Sequence, residues 1–115
     1  MPLDATKRET DLVVDVERAV RCARCNHALT SEKERFGPGL TFMNPSGVIF
    51  HVLCFRAVDG AHTAGTPDAE TSWFPRTAWV YAMCAQCAGH VGWRYVNLDD
   101  GTVFFALIED CIVDP

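Results

Sequence analysis

Two Cys-x-x-Cys pairs, Cys22-Ala-Arg-Cys25 and Cys84-Ala-Gln-Cys87, constrain this chain more than any other feature. Two intervening residues let both sulfurs of a tight knuckle face one ion. Two such knuckles, here about sixty residues apart, complete a tetrahedral thiolate shell. A shell of four protein ligands leaves no position for water, so the expected ion is a structural Zn2+ held by Cys22, Cys25, Cys84 and Cys87. The fold must therefore bring the first and last thirds of the chain together. In a domain this small, that cross-link is expected to supply much of the stability. A thioredoxin-like redox reading needs one pair at a strand–helix junction, and neither context offers it. Cys54 lies in an apolar run and reads as packing. Cys111 follows Glu109 and Asp110, whose charge disfavours a thiolate.

The length of 115 residues suits one small core, and no apolar run approaches the roughly 20 residues of a membrane helix. The first ten residues mix charges and lack an apolar signal core, so a reducing cytoplasm is the expected compartment. The formal net charge of −5 argues against a nucleic-acid partner, whose phosphates demand a basic face.

Residues 1–17 read as a flexible lead and 18–115 as the domain. A first strand enters within Asp11–Val20, although Glu17–Val20 reads equally well as a helical turn. Thr30–Phe36 resembles a short capped helix or turn, with Ser31 and Glu34 in capping-box spacing and Gly37-Pro38-Gly39 ending it. Leu40–Met43 and Val48–Phe55 form a hairpin around Asn44-Pro45-Ser46-Gly47, which suits a type I turn. Arg56–Glu70 reads as a long surface connection. His90–Val96 and Thr102–Ile108 form a second hairpin around Asn97–Gly101, where Asp100-Gly101 supplies a positive φ. The fold class is mostly β.

All three tryptophans and both tyrosines fall between Thr71 and Tyr95. Trp93 and Tyr95 are two apart, as are Trp79 and Tyr81, so each pair shares a strand face. Pro75 breaks any continuous strand from Trp73 to Trp79, so Trp73 arrives from a loop. Three indoles beside a knuckle serve equally as plain core or as a ligand-enclosing box. Such a box suits a cation or a compact ring. The run from Thr71 to Tyr95 contains no acidic residue, which favours a neutral ring read by backbone groups.

Thr71-Ser-Trp-Phe-Pro-Arg-Thr-Ala-Trp79, followed by Cys84-Ala-Gln-Cys-Ala-Gly-His-Val-Gly-Trp-Arg-Tyr95, resembles the thalidomide-binding (CULT) domain of cereblon, and in particular the short bacterial proteins that consist of that domain alone. The likeness runs from Cys22 through Asn44–Gly47 to Phe104–Ile108. It implies a β-tent, two antiparallel sheets pinned by a structural four-cysteine zinc. It also implies a cage of Trp73, Trp79, Trp93 and Tyr95 for cyclic imides such as glutarimide, extending to uridine-like rings or cyclised peptide C-termini. The family binds the imide through main-chain groups, which map to the Thr71 carbonyl and the Trp73 N–H with Ser72 between them. Asn44 maps to an asparagine over the ligand's exposed end, and His90 to a structural histidine after the second knuckle. This chain departs from the pattern at Thr71, where vertebrate cereblons have histidine, and at Thr77, where tyrosine is usual. No room remains for a Lon-like domain or the segment that docks a ubiquitin-ligase adaptor, so no such partner is expected.

The leading expectation is thus a binding module and not an enzyme. The alternatives are a methionine sulfoxide reductase of the B type, for which Cys111 is the candidate nucleophile, and a zinc-ribbon-like interaction adaptor.

Overall fold

The computed structural model describes residues 18–115. Among the described residues, nine antiparallel strands form two sheets. The smaller has the order β2-β1-β9, from Ala28–Ser31, Ala19–Cys22 and Ile112–Val113. The larger runs β3-β4-β8-β7-β6-β5, from Arg35–Met43, Ile49–Phe55, Val103–Ile108, His90–Asn97, Thr77–Cys84 and Ala61–Asp68. Strand alternation splits the apolar residues of the larger sheet between its two faces. Leu53, Phe55, Ala82, Val91 and Leu107 pack with Val20, Leu29 and Ile112 of the smaller sheet. On the other face Val52, Cys54, Trp93, Tyr95, Ala106 and Ile108 carry a layer of aromatic rings.

Both expected hairpins form. Gly47 N–H donates to Asn44 O at 2.9 Å, and Gly101 N–H to Asn97 O at 2.9 Å with Gly101 at φ 78°. The expected helix or turn near Thr30–Phe36 is a single 3-10 turn, Glu32–Glu34, with Ser31 Oγ accepting from Lys33 N–H at 3.2 Å. The first strand is Ala19–Cys22, and Asp11–Glu17 lie outside the described residues.

Two expectations need correction. Gly37-Pro38-Gly39 does not end an element; it lies inside β3, where pairing with β4 is irregular between Phe36 and Leu40. An edge strand tolerates this, because its outer N–H positions need no partner and Pro can occupy one. The supposed connection Arg56–Glu70 contains β5, paired with β6 from Ala61↔Cys84 to Asp68↔Trp79. This strand is almost wholly exposed, so it lacks the apolar alternation by which strands are read.

Gly92 shows how tightly the central strands approach. A Cβ built there would lie 2.1 Å from Ala106 O and 2.8 Å from Leu107 Cα, so only glycine permits β7 to sit against β8. The next pair along the ladder is Trp93↔Ala106.

Candidate metal centre and binding cavity

The two knuckles have the same backbone. Cys22 N–H donates to His27 O and Asn26 N–H to Cys22 O; Cys84 N–H donates to Gly89 O and Ala88 N–H to Cys84 O, all at 2.8 Å. The fifth residue of each is left-handed, Asn26 at φ 67° and Ala88 at φ 62°. Cys22 ends β1 of the smaller sheet and Cys84 ends β6 of the larger, so one knuckle comes from each sheet. The four sulfurs lie within 4.8 Å of one another and can hold one metal ion between the sheets. Gln86 N–H approaches Cys84 Sγ and Gly89 N–H approaches Cys87 Sγ, both at 3.4 Å, donor contacts that favour thiolate. Desolvation and the three neighbouring thiols push the Cys25 thiol up to about 11, against a backbone donor at His27 that pulls it down.

Strand pairing builds the aromatic site. Trp79 lies opposite Tyr95 and Tyr81 opposite Trp93, so four rings share one face of β6–β7. Pairing shifts between Ala82 and Met83, which brings His90 onto the same face. His90 Nε2–H donates to Gly92 O at 2.8 Å, and burial holds the imidazole below its ordinary value of 6.5. The rings then meet edge to face in a continuous wall: Trp79 on Tyr81 at 5.2 Å, Tyr81 on His90 at 5.3 Å, His90 on Trp93 at 5.0 Å and Trp93 on Trp73 at 4.9 Å.

Trp73 arrives from the loop between β5 and β6. Its ring stacks on Phe42 at 4.8 Å, and its indole N–H donates to Met43 O at 3.3 Å. Phe74, one residue on, packs edge-on against Phe42, Tyr95 and Phe104. Trp73, Trp79, Trp93 and Tyr95 line a cavity of about 310 Å³, with Thr71 and Asn44 at its margin. Asn44 Oδ1 is occupied by Ser46 and Val48 N–H at 3.0 and 2.9 Å, which leaves its amide nitrogen as the group available to the cavity. Among the described residues, neither the Thr71 carbonyl nor the Trp73 N–H has a hydrogen-bond partner. Ser72 does not line the cavity; its hydroxyl is turned toward Thr77 and Phe74 O.

Sequence reasoning left Phe50, Pro45, Tyr81 and His90 out of the lining. The i+2 relation of Tyr81 to Trp79 was the available signal for one of them. His90 gave none, because its parity is opposite to that of Trp93 until the β7 irregularity corrects it. Cys54 is buried under the aromatic layer, as expected of packing. Cys111 is partly buried, and burial, Asp110 and Cys22 all push its thiol up, which disfavours a nucleophile.

No family model matches the chain. Curated relatives include the cereblon of Gallus gallus, 34% identical over 80 residues, which span 64% of this chain and 18% of the relative. The cereblon of Danio rerio is 30% identical over 89 residues, 72% of this chain and 21% of the relative. That of Drosophila virilis is 30% identical over 109 residues, 84% of this chain and 17% of the relative. The chain thus spans about a fifth of the length of the curated relatives it matches. With four clustered cysteines joining two antiparallel sheets, it belongs with the CULT-like domains of the cereblons.

Proposed function

We propose that this domain binds cyclic imides in the cavity of Trp73, Trp79, Trp93 and Tyr95, and that its metal centre holds a structural zinc. The carrying observation is the wall of opposed rings on β6–β7, closed by Trp73 from the loop. An imide presents one N–H between two carbonyls. The unpartnered Thr71 carbonyl accepts the N–H, and the unpartnered Trp73 N–H donates to one carbonyl. The ring methylenes bury against indole faces, where each buried CH2 contributes about 0.8 kcal/mol. Tyr95 is buried, and burial keeps its phenol protonated, so it meets the ligand as a neutral ring edge.

The donor set suits zinc. Tetrahedral Zn–S bonds of about 2.3 Å place sulfurs about 3.8 Å apart. Cys22–Cys87 and Cys25–Cys84 stand at 3.8 and 3.5 Å. When bound, the ion supplies a cross-link and no chemistry. We read the domain as a binding module and not an enzyme, with a cyclic imide or a cyclised peptide end as its partner.

Calorimetry with glutarimide on the zinc-loaded protein and on Trp79→Ala and Trp93→Ala tests this reading. Both variants are expected to lose binding while keeping one zinc per chain. Unchanged affinity in both sinks the cage. Trp79 is only half-buried, so its variant stays folded if Trp93→Ala does not.

A further inference from the structure

Thr77 opens β6 and is 4% exposed, so its hydroxyl cannot reach bulk water and must bond within the protein. It donates to Phe74 O at 2.6 Å. With that proton committed, the single Ser72 hydroxyl proton is shared between Thr77 Oγ1 at 2.5 Å and Phe74 O at 3.1 Å. Phe74 N–H donates to Ser72 Oγ at 3.4 Å, which closes a small ring of hydrogen bonds across the turn. The C-terminal end of this turn is fixed to the rest of the protein, because Thr77 pairs with Asn97 and Leu98 N–H donates to Arg76 O at 2.8 Å. Ser72 ties the N-terminal end of the turn to that anchor.

From this arrangement we infer that Ser72 and Thr77 form a hydroxyl latch that positions the binding groups of the cavity. The inference rests on the cavity being the imide site. Ser72 stands between the Thr71 carbonyl and the Trp73 N–H, so holding its side chain inward turns both main-chain groups toward the cavity. Trp73 is held from the other side by its stack on Phe42. Neither hydroxyl touches the ligand; both are positioning residues. The latch lowers the conformational entropy that the loop surrenders on binding, and so raises affinity without a new contact.

The test combines two readouts on Ser72→Ala/Thr77→Val, Thr77→Val and Thr77→Ser. Amide exchange by NMR on the unliganded protein is expected to accelerate at Phe74 about tenfold or more in the double variant, with β6–β7 amides unchanged. The glutarimide Kd is expected to weaken about tenfold, and Thr77→Ser to stay within about twofold of wild type. Should the double variant not fold, Ser72→Ala alone carries the same test with an expected change of about threefold, since Ser72 is only half-buried. Phe74 exchange at the wild-type rate in a folded variant overturns the latch. Faster exchange with unchanged Kd overturns its role in binding. Failure of the wild-type protein to bind glutarimide refutes the imide reading instead, while the exchange readout still decides whether the latch exists.

Discussion

Gly92→Ala is the substitution whose cost the structure states most directly. The added Cβ would sit 2.1 Å from Ala106 O and 2.8 Å from Leu107 Cα, both backbone atoms of the central strand β8. Ordinary contact needs about 3.4 Å, so the strands must separate by more than an ångström or the ladder must break, at a cost of about 3 kcal/mol. The neighbouring pairs Trp93↔Ala106 and Arg94↔Phe105 would be pulled apart with it. For a domain of about 100 residues that loss lowers Tm by on the order of 10–20 °C. Thermal unfolding by circular dichroism reads this, with Gly37→Ala as the control. Gly37 has nothing within 4 Å of a built Cβ, but its φ of 69° carries a left-handed penalty of about 1 kcal/mol. A Gly92→Ala protein within about 0.5 kcal/mol of wild type would refute the close-approach argument and the β7–β8 register behind it.

Other consequences follow from the same geometry. Ala88 is left-handed in the second knuckle, so Ala88→Gly is expected to raise stability by about 1 kcal/mol in urea melts, the reverse of the usual effect of glycine. Loss of metal on Cys25→Ser or Cys84→Ser, measured by zinc content and unfolding, should contrast with one ion retained in Cys54→Ser and Cys111→Ser. Burial depresses His90, so the unfolded chain takes up a proton near pH 6.5 that the folded protein refuses; stability therefore falls as pH drops below that value. In His90→Gln this part of the acid loss should be absent from denaturation curves taken between about pH 7 and 5. Thiol-dependent methionine sulfoxide reduction that vanishes in Cys111→Ser would revive the enzyme reading; none is expected.

The sequence was most informative where chemistry fixes spacing. The knuckles, the Asn44–Gly47 and Asn97–Gly101 turns and the shared faces of Trp79 with Tyr81 and Trp93 with Tyr95 all follow from local rules. What local rules cannot carry is register. Nothing near Trp93 states that it lies opposite Tyr81, or that the irregularity in β7 turns His90 toward the cavity. Strand β5 was missed because an exposed edge made of Ala, Thr, Gly and His is stabilised by its neighbour's ladder and not by its own apolar face. Ser72 was placed at the site by its neighbours in the motif, whereas its hydroxyl bonds within the turn.

The most direct test of the central claim is intrinsic tryptophan fluorescence of the zinc-loaded protein titrated with glutarimide. All three tryptophans of the chain line the cavity, so a bound ring alters the signal at its source. A saturable change is expected, which uridine or a peptide with a cyclised C-terminal imide displaces to a degree set by affinity. A flat titration on folded protein with one zinc per chain would contradict it, leaving a metal-pinned β scaffold whose aromatic wall serves another partner.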